Sequence, residues 1–432
     1  MTLEALRRGA LSGARALTLS GGLTEFPREI FDLADSLEVL DLSGNALSDL
    51  PDDMGRLTKL RVLFCSGNRF TRLPEVLGDC VALSQVGFRG CGLRDVPAAA
   101  LPQALRWLTL TDNQIENLPS ALGERPLLQK LMLAGNRLGA LPESLAGASR
   151  LELLRVSANR LDDLPPWLAH LPRLAWLAWA GNPWDRTTGA PSAPAVEWRH
   201  LQLGALLGAG ASGWVHQAHW QPPALAGVRS VAVKLFKGAV TSDGLPEREM
   251  AACLASGDHP NLMSALGRVV DHPTQADGLL MPLLPPEWRS LAGPPDLESC
   301  SRDVYDPGLR FDPGVAVRIA RGIAAAAAHL HARGILHGDL YAHNILWDGG
   351  VGDAVLSDFG AASFLQDGAG GAAWQRLEVR AWGLLLGEVL DRCNEEIPEQ
   401  SRLRQLHQEC VHSDPSARPL MAEVMGALGR WS

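Results

Sequence analysis

Hydrophobic positions in the first 184 residues fall on a fixed period. Asn45, Asn68, Cys91, Asn113, Asn136, Asn159 and Asn182 follow one another at intervals of 23, 23, 22, 23, 23 and 23 residues. The pattern before each is Leu-x-x-Leu-x-Leu-x-x or close to it, as in Leu37/Leu40/Leu42, Leu105/Leu108/Leu110 and Leu128/Leu131/Leu133. An apolar residue and Leu-Pro come after it, as at Leu50-Pro51, Leu73-Pro74, Leu118-Pro119, Leu141-Pro142 and Leu164-Pro165. A degenerate first copy uses Leu17, Leu19, Leu23 and Pro27. Leucines spaced this way predict one short strand per repeat, whose inward side chains are buried only when neighbours stack. The asparagine amide can bond backbone groups of its own and the adjacent turn, and the proline starts the return path on the far side. At Cys91 a thiol fills the same slot as a weaker donor, so poorer bonding is expected there. Residues 1–13, with Leu3, Leu6 and Leu11 at helical spacing, are expected to cover the open edge of the first repeat.

This pattern resembles the leucine-rich repeat, in about eight copies. The residues flanking the fourth-position leucine face outward from the sheet. They include Val62, Phe64, Trp107, Met132, Leu153 and Trp176, a column more apolar than solvation requires. It reads as a face for a protein partner or substrate, the plainer alternative being that these side chains pack on one another or on the second domain.

The repeats end at Trp184, and the Pro-, Gly-, Ser- and Thr-rich residues 185–197 read as a linker. The remainder, 198–432, has a different pattern. Leu206-Leu207-Gly208-Ala-Gly210-Ala-Ser-Gly213-Trp-Val215 is G-x-G-x-x-G-x-V, which alone is weak and also suits a dinucleotide-binding turn. A second strand from Val215, a turn, and Val231-Ala232-Val233-Lys234 come next, where a dinucleotide fold needs a helix. A helix is expected over residues 245–254, a strand and hinge over 279–284, and a long alanine-rich helix over 315–333. Beyond it lie His337-Gly338-Asp339-Leu340-Tyr341-Ala342-His343-Asn344 and Asp358-Phe359-Gly360.

Strand, loop, strand with Val-Ala-Val-Lys, then Asp339, Asn344 and Asp358 at these spacings, resembles the protein kinases. The resemblance runs from about residue 200 to 430, closing on Glu378-Val-Arg-Ala-Trp-Gly383, Cys410 and Asp414-Pro-Ser-Ala-Arg418-Pro419. It implies ATP held by Gly208, Gly210, Gly213, Val215, Ala232, Lys234, Met281 and Leu283, with magnesium on Asn344 and Asp358. It further implies Asp339 as the base for the substrate hydroxyl and Lys234 on the phosphates, held by Glu249 with Glu247 in reserve. Glu378 would brace the loop at Asp339. The fold class expected is an α/β leucine-rich-repeat solenoid followed by an α+β bilobal protein-kinase-like domain.

The departures from that family matter as much. Gly338 stands where many kinases have an arginine that pairs with a phosphorylated activation loop. Only 20 residues separate Asp358 from Glu378, and no Ala-Pro-Glu lies between them, which leaves Arg418 without its usual glutamate. Ser363 is the single hydroxyl side chain between Phe359 and Trp382. The usual phosphorylation switch therefore has no parts, and constitutive competence or control by the repeats is expected. A serine/threonine protein kinase is the favoured reading. A small-molecule phosphotransferase, whose aminoglycoside-type members share His-Gly-Asp, and a non-catalytic scaffold are the alternatives.

Composition adds limits. A net charge of -9 with no basic block disfavours nucleic acid and anionic membrane as partners. The seven cysteines form no C-x-x-C pair, which suits a reducing compartment rather than a disulfide framework or zinc site. No segment has the roughly 20 apolar residues of a membrane span, and residues 1–11 lack the plan of a secretory signal. A cytoplasmic location is expected, with export into a host cell by a non-standard route as the alternative.

Overall fold

The computed structural model describes residues 3–185, 194–210, 212–222, 227–238, 240–241, 243–365, 371–395 and 400–429. They form two compact units, Met1–Leu171 with Asn182–Trp184, and Pro172–Gly181 with Asp185–Ser432.

The first unit opens with helix α1 (Leu3–Arg7), followed by one three-residue strand per repeat. These are β1 (Ala16–Thr18), β2 (Val39–Asp41), β3 (Val62–Phe64), β4 (Gln85–Gly87), β5 (Trp107–Thr109), β6 (Lys130–Met132) and β7 (Leu153–Arg155). All pair in parallel and in one register, so that Leu17, Leu40, Leu63, Val86, Leu108, Leu131 and Leu154 form a single line. That line is almost wholly buried, the stacking that a lone repeat could not supply. Pro27, Pro74, Pro97, Pro119, Pro142 and Pro165 each stand in extended conformation immediately before a short 3-10 turn. Their fixed φ pre-sets the entry into the turn and gives up no needed N–H.

The asparagines form the expected ladder. Asn113 Oδ1 accepts from the N–H groups of Cys91, Gly92 and Leu93 at 2.9–3.1 Å. Its Nδ2 donates to the carbonyls of Phe88 and Leu110 at 2.8 and 2.9 Å. Asn45, Asn68, Asn136 and Asn159 likewise join two turns. Cys91 directs its thiol at Cys65 O at 3.2 Å and Arg89 O at 3.6 Å, weak bonds in place of the amide's set.

The outward column is more buried than an open partner face, as the plainer alternative of packed side chains allowed. Val62, Met132, Leu153 and Trp176 are buried, and only Phe64 and Trp107 keep partial exposure. Those two rings meet edge to face at 6.2 Å, and Lys130 Nζ lies 4.0 Å from the Trp107 ring centroid. The period assigned these positions to one face correctly, but a pattern along the chain does not say what covers that face.

The second unit begins with β8 (Trp176–Ala178), the strand of the last repeat. Of the expected linker, residues 186–193 lie outside those described, and Ala195–Glu197 is a strand, β9. Then come β10 (Leu201–Ala209), β11 (Gly213–Trp220), β12 (Arg229–Phe236), α2 (Pro246–Ala255), β13 (Gly267–Val270) and β14 (Gly278–Pro282). The sheet order is β10-β11-β12-β14-β13-β9, with β9 parallel to β13. Alternation along β12 sends Val231, Val233 and Leu235 into a core with Val196, Ala218, Val269 and Leu280. Ala232 and Lys234 consequently fall on the opposite face.

After β15 (Arg289–Ser290), the long helix α3 (Pro313–Ala332) leads to β16 (Ile335–Leu336), β17 (Ile345–Trp347), β18 (Ala354–Leu356) and β19 (Ser363–Phe364). Helices α4 (Gly371–Leu390), α5 (Gln400–Cys410) and α6 (Met421–Leu428) complete the chain. The buried stripe of α3 is mostly alanine, among them Ala320, Ala324 and Ala327, which lets neighbouring helices approach closely. No helix among the described residues is long and apolar enough to cross a membrane.

The two kinds of ladder rung should differ in energy. Asn113→Ala is expected to cost about 3 kcal/mol and Cys91→Ala about 1 kcal/mol, given the bonds each removes. Urea unfolding at unchanged m value measures both.

Candidate active site

The cleft of the second unit is built by strand register. Gly208 lies across from Val215, Val215 from Lys234, and Ala232 from Met281. Together with Leu283 they line a cleft of about 600 Å³. A second recess of about 410 Å³ is lined by Gly208, Gly210, Gly213, Lys234, Asn344 and Asp358. An added Cβ at Gly208 or Gly210 would meet nothing within 4 Å, so these two leave room for a ligand. Gly213 differs, since a Cβ there would stand 2.4 Å from Leu235 O. Its lack of side chain serves strand packing as well.

Lys234 Nζ is ion-paired with Glu249 Oε1 from the first turn of α2, both side chains well buried. Burial works against the Lys234 ammonium, but Glu249 and Asp358 outweigh it and hold its pKa above the ordinary value. Glu247, the reserve candidate, is exposed.

The 337–344 loop is held from several directions. Asn344 Nδ2 donates to Asp339 Oδ2 at 2.7 Å and to Asp339 O at 3.0 Å. The N–H and the hydroxyl of Ser357 both donate to Asn344 O at 2.8 Å, which ties the loop to the neighbour of Asp358. Asp358 has φ +63, a left-handed conformation that aspartate adopts more readily than most side chains, and its Oδ1 accepts from Gly360 N at 3.0 Å. Glu378, buried in α4, accepts from Gly338 N at 2.7 Å on Oε1 and bonds His331 Nε2 at 2.7 Å on Oε2. Burial alone would raise the Glu378 carboxyl, but these bonds and His337 hold it below the ordinary value. Lys234, Asn344 and Asp358 line one recess, with Glu249 paired to Lys234 and Asp339 bonded to Asn344.

Gly338 acquires a reason that the sequence did not disclose. Its φ is +72, and an added Cβ would lie 2.6 Å from Ala361 O and 2.7 Å from Leu177 O. No other residue fits there without strain. Ser363 is fully buried, and its Oγ accepts from Trp179 N at 3.1 Å. Arg418, expected to want a partner, gives its guanidinium to three carbonyls: His412 O at 2.9 Å, Pro172 O at 2.7 Å and Arg376 O at 3.3 Å. Burial and the nearby Arg380 push its pKa down to about 9.

Other site residues were not foreseen. His343 bonds Asp303 through Nδ1 at 2.7 Å and through its N–H at 3.0 Å, and it lines the smaller recess with Thr241, Asp243 and Ser290. His343 stood inside a recognised motif, but Asp303 lies 40 residues away with no pattern around it.

The sheet, the long helix and the bracketed loop define a protein-kinase domain, and the parallel strands before it define a leucine-rich-repeat array. Residues 201–379 match the family model described as protein tyrosine and serine/threonine kinase, and residues 35–78 match the model of leucine-rich repeats. The chain is 28% identical over 286 residues to ephrin type-A receptor 8 of Mus musculus, covering 54% of this chain and 26% of that one. It is 28% identical over 170 residues to a probable myosin light chain kinase of Dictyostelium discoideum, covering 38% and 48% respectively. An eIF-2-alpha kinase of Arabidopsis thaliana is 37% identical over 65 residues, 15% of this chain and 5% of that one. The chain therefore spans about a quarter to a half of the first two relatives.

Two glycine variants should separate cleft from brace. Gly338→Ala is expected to destabilise the protein by about 2 kcal/mol or more, from its positive φ and close approach. Gly210→Ala should change stability by less than about 0.5 kcal/mol. Thermal unfolding of the two variants beside the wild type measures the difference.

Proposed function

We propose that this chain is an ATP- and magnesium-dependent protein kinase that phosphorylates serine or threonine, with its repeats recruiting a protein partner or substrate. The observation that carries the reading is the meeting of the Lys234–Glu249 ion pair with Asp358, beside an Asp339 held by Asn344. Lys234 would bring a fixed charge to the nucleotide phosphates, below glycines with open space above them. Asp339 would accept the proton of the acceptor hydroxyl. The donor set suits magnesium: Asn344 spends its Nδ2 on Asp339, which leaves Oδ1 and the Asp358 carboxylate as oxygen ligands in one recess. Bound there, the ion would neutralise charge on the phosphates.

The family model spans tyrosine and serine/threonine kinases alike, so the acceptor residue rests on the greater frequency of serine and threonine as kinase targets. A protein substrate suits a chain that carries leucine-rich repeats. The cytoplasm is the proposed location, in keeping with seven free cysteines. Gly338, the feature shared with small-molecule phosphotransferases, has a local steric cause here, which weakens that alternative.

The test is transfer from labelled ATP with magnesium to casein and to serine, threonine and tyrosine peptides. Wild type should label serine or threonine, and Asp358→Ala should fall by about a thousandfold. Removal of magnesium with a chelator should have the same effect. Label on an added small molecule only, or nucleotide binding without transfer, would contradict the proposal.

A further inference from the structure

Asp339 is flanked on both sides by residues that touch the strand β8. On one side, Leu177 O approaches Gly338 so closely that an added Cβ would lie 2.7 Å from it. On the other, the Trp176 indole N–H donates to Leu340 O at 3.0 Å. The Trp176 ring stacks on Tyr341, centroids 4.1 Å apart and planes within 8°. Trp176 is buried, and β8 is itself anchored nearby: Arg418 donates to Pro172 O, Arg380 Nε to Arg173 O at 3.1 Å, and Trp179 N to Ser363 Oγ.

We propose that Trp176, a residue of the last leucine-rich repeat, is a positioning residue for phosphoryl transfer, fixing the 337–344 loop so that Asp339 faces the acceptor hydroxyl. The inference rests on the proposed kinase activity. A loop outside helix and sheet has many conformations, and Asp339 works only in one of them. The indole bond and ring stack add to the bonds that select that one, and breaking the indole bond removes a donor from the buried Leu340 carbonyl. In this chain a tryptophan on a neighbouring strand supplies order that neither Gly338 nor a buried Ser363 can supply through phosphate.

Trp176 should therefore act on turnover and on loop order while sparing the nucleotide cleft, which it does not line. Trp176→Phe keeps a ring for Tyr341 and removes the N–H, Trp176→Leu removes both, and Tyr341→Leu removes the stack from the other side. Casein phosphorylation at saturating magnesium-ATP should fall about tenfold in Trp176→Phe and further in Trp176→Leu, with KM for ATP within about twofold of wild type. Amide hydrogen exchange of residues 340–344 should rise in all three variants, with α3 and β12 still protected. A purely structural tryptophan would instead raise exchange throughout the unit and lower the fraction of protein that binds nucleotide, leaving turnover per binding site unchanged.

Exchange at 340–344 equal to wild type in Trp176→Phe and Tyr341→Leu overturns the proposal, as does a change confined to KM for ATP. A wild type that transfers no phosphate defeats the kinase reading and with it any role for Trp176 in transfer. Raised exchange in the variants would then show a brace without a reaction, which distinguishes the two failures.

Discussion

The backbone of Gly338 is the point on which the functional half of this chain turns. Its N–H ends on a buried carboxylate of Glu378, and its Cα faces two carbonyls that leave no space for a side chain. Glycine adopts the required φ at little cost, where any other residue would add strain at the neighbour of Asp339. A charge buried at Glu378 is tolerable because it is spent on that N–H and on His331. Removing either partner would strand a carboxylate in the core, so the position of Asp339 is tied to the integrity of α4.

This constraint alters the meaning of the His-Gly-Asp sequence. A missing arginine suggests that a control element has been lost, and the short stretch between Asp358 and Glu378 suggests the same. In the folded molecule the space beside Gly338 is taken by the backbone of Leu177, Ser363 receives a backbone N–H, and Arg418 is satisfied by carbonyls. Ser363 and Arg418, which stand where protein kinases handle a phosphorylated loop, are each engaged by a neighbouring piece of the same unit.

Much of this was legible in the sequence, for reasons that can be stated. The asparagine ladder and the leucine line come from a period that only stacking satisfies, and Lys234, Asp339, Asn344 and Asp358 come from motifs whose spacing the chemistry restricts. Glu249 was legible as one of two carboxylates in a helix, and burial separates it from Glu247. What was not legible depends on long-range contact. Trp176 bonds a carbonyl 164 residues away, and Asp303 meets His343 across 40. β9 is three residues within a stretch whose prolines and glycines read as linker, and its pairing with β13 has no local signal. The outward column was placed on one face by its period, yet the burial of Val62 and Leu153 could not be read from residue types.

The central claim is that the loop carrying Asp339 is set by contacts within the folded unit and not by a phosphate. The most direct test is the time course of phosphotransfer by protein shown by intact mass to carry no phosphate. The account predicts a full initial rate without a lag, unchanged by prior incubation with magnesium-ATP. A lag that prior incubation abolishes, together with a phosphate appearing between residues 359 and 381, would contradict it.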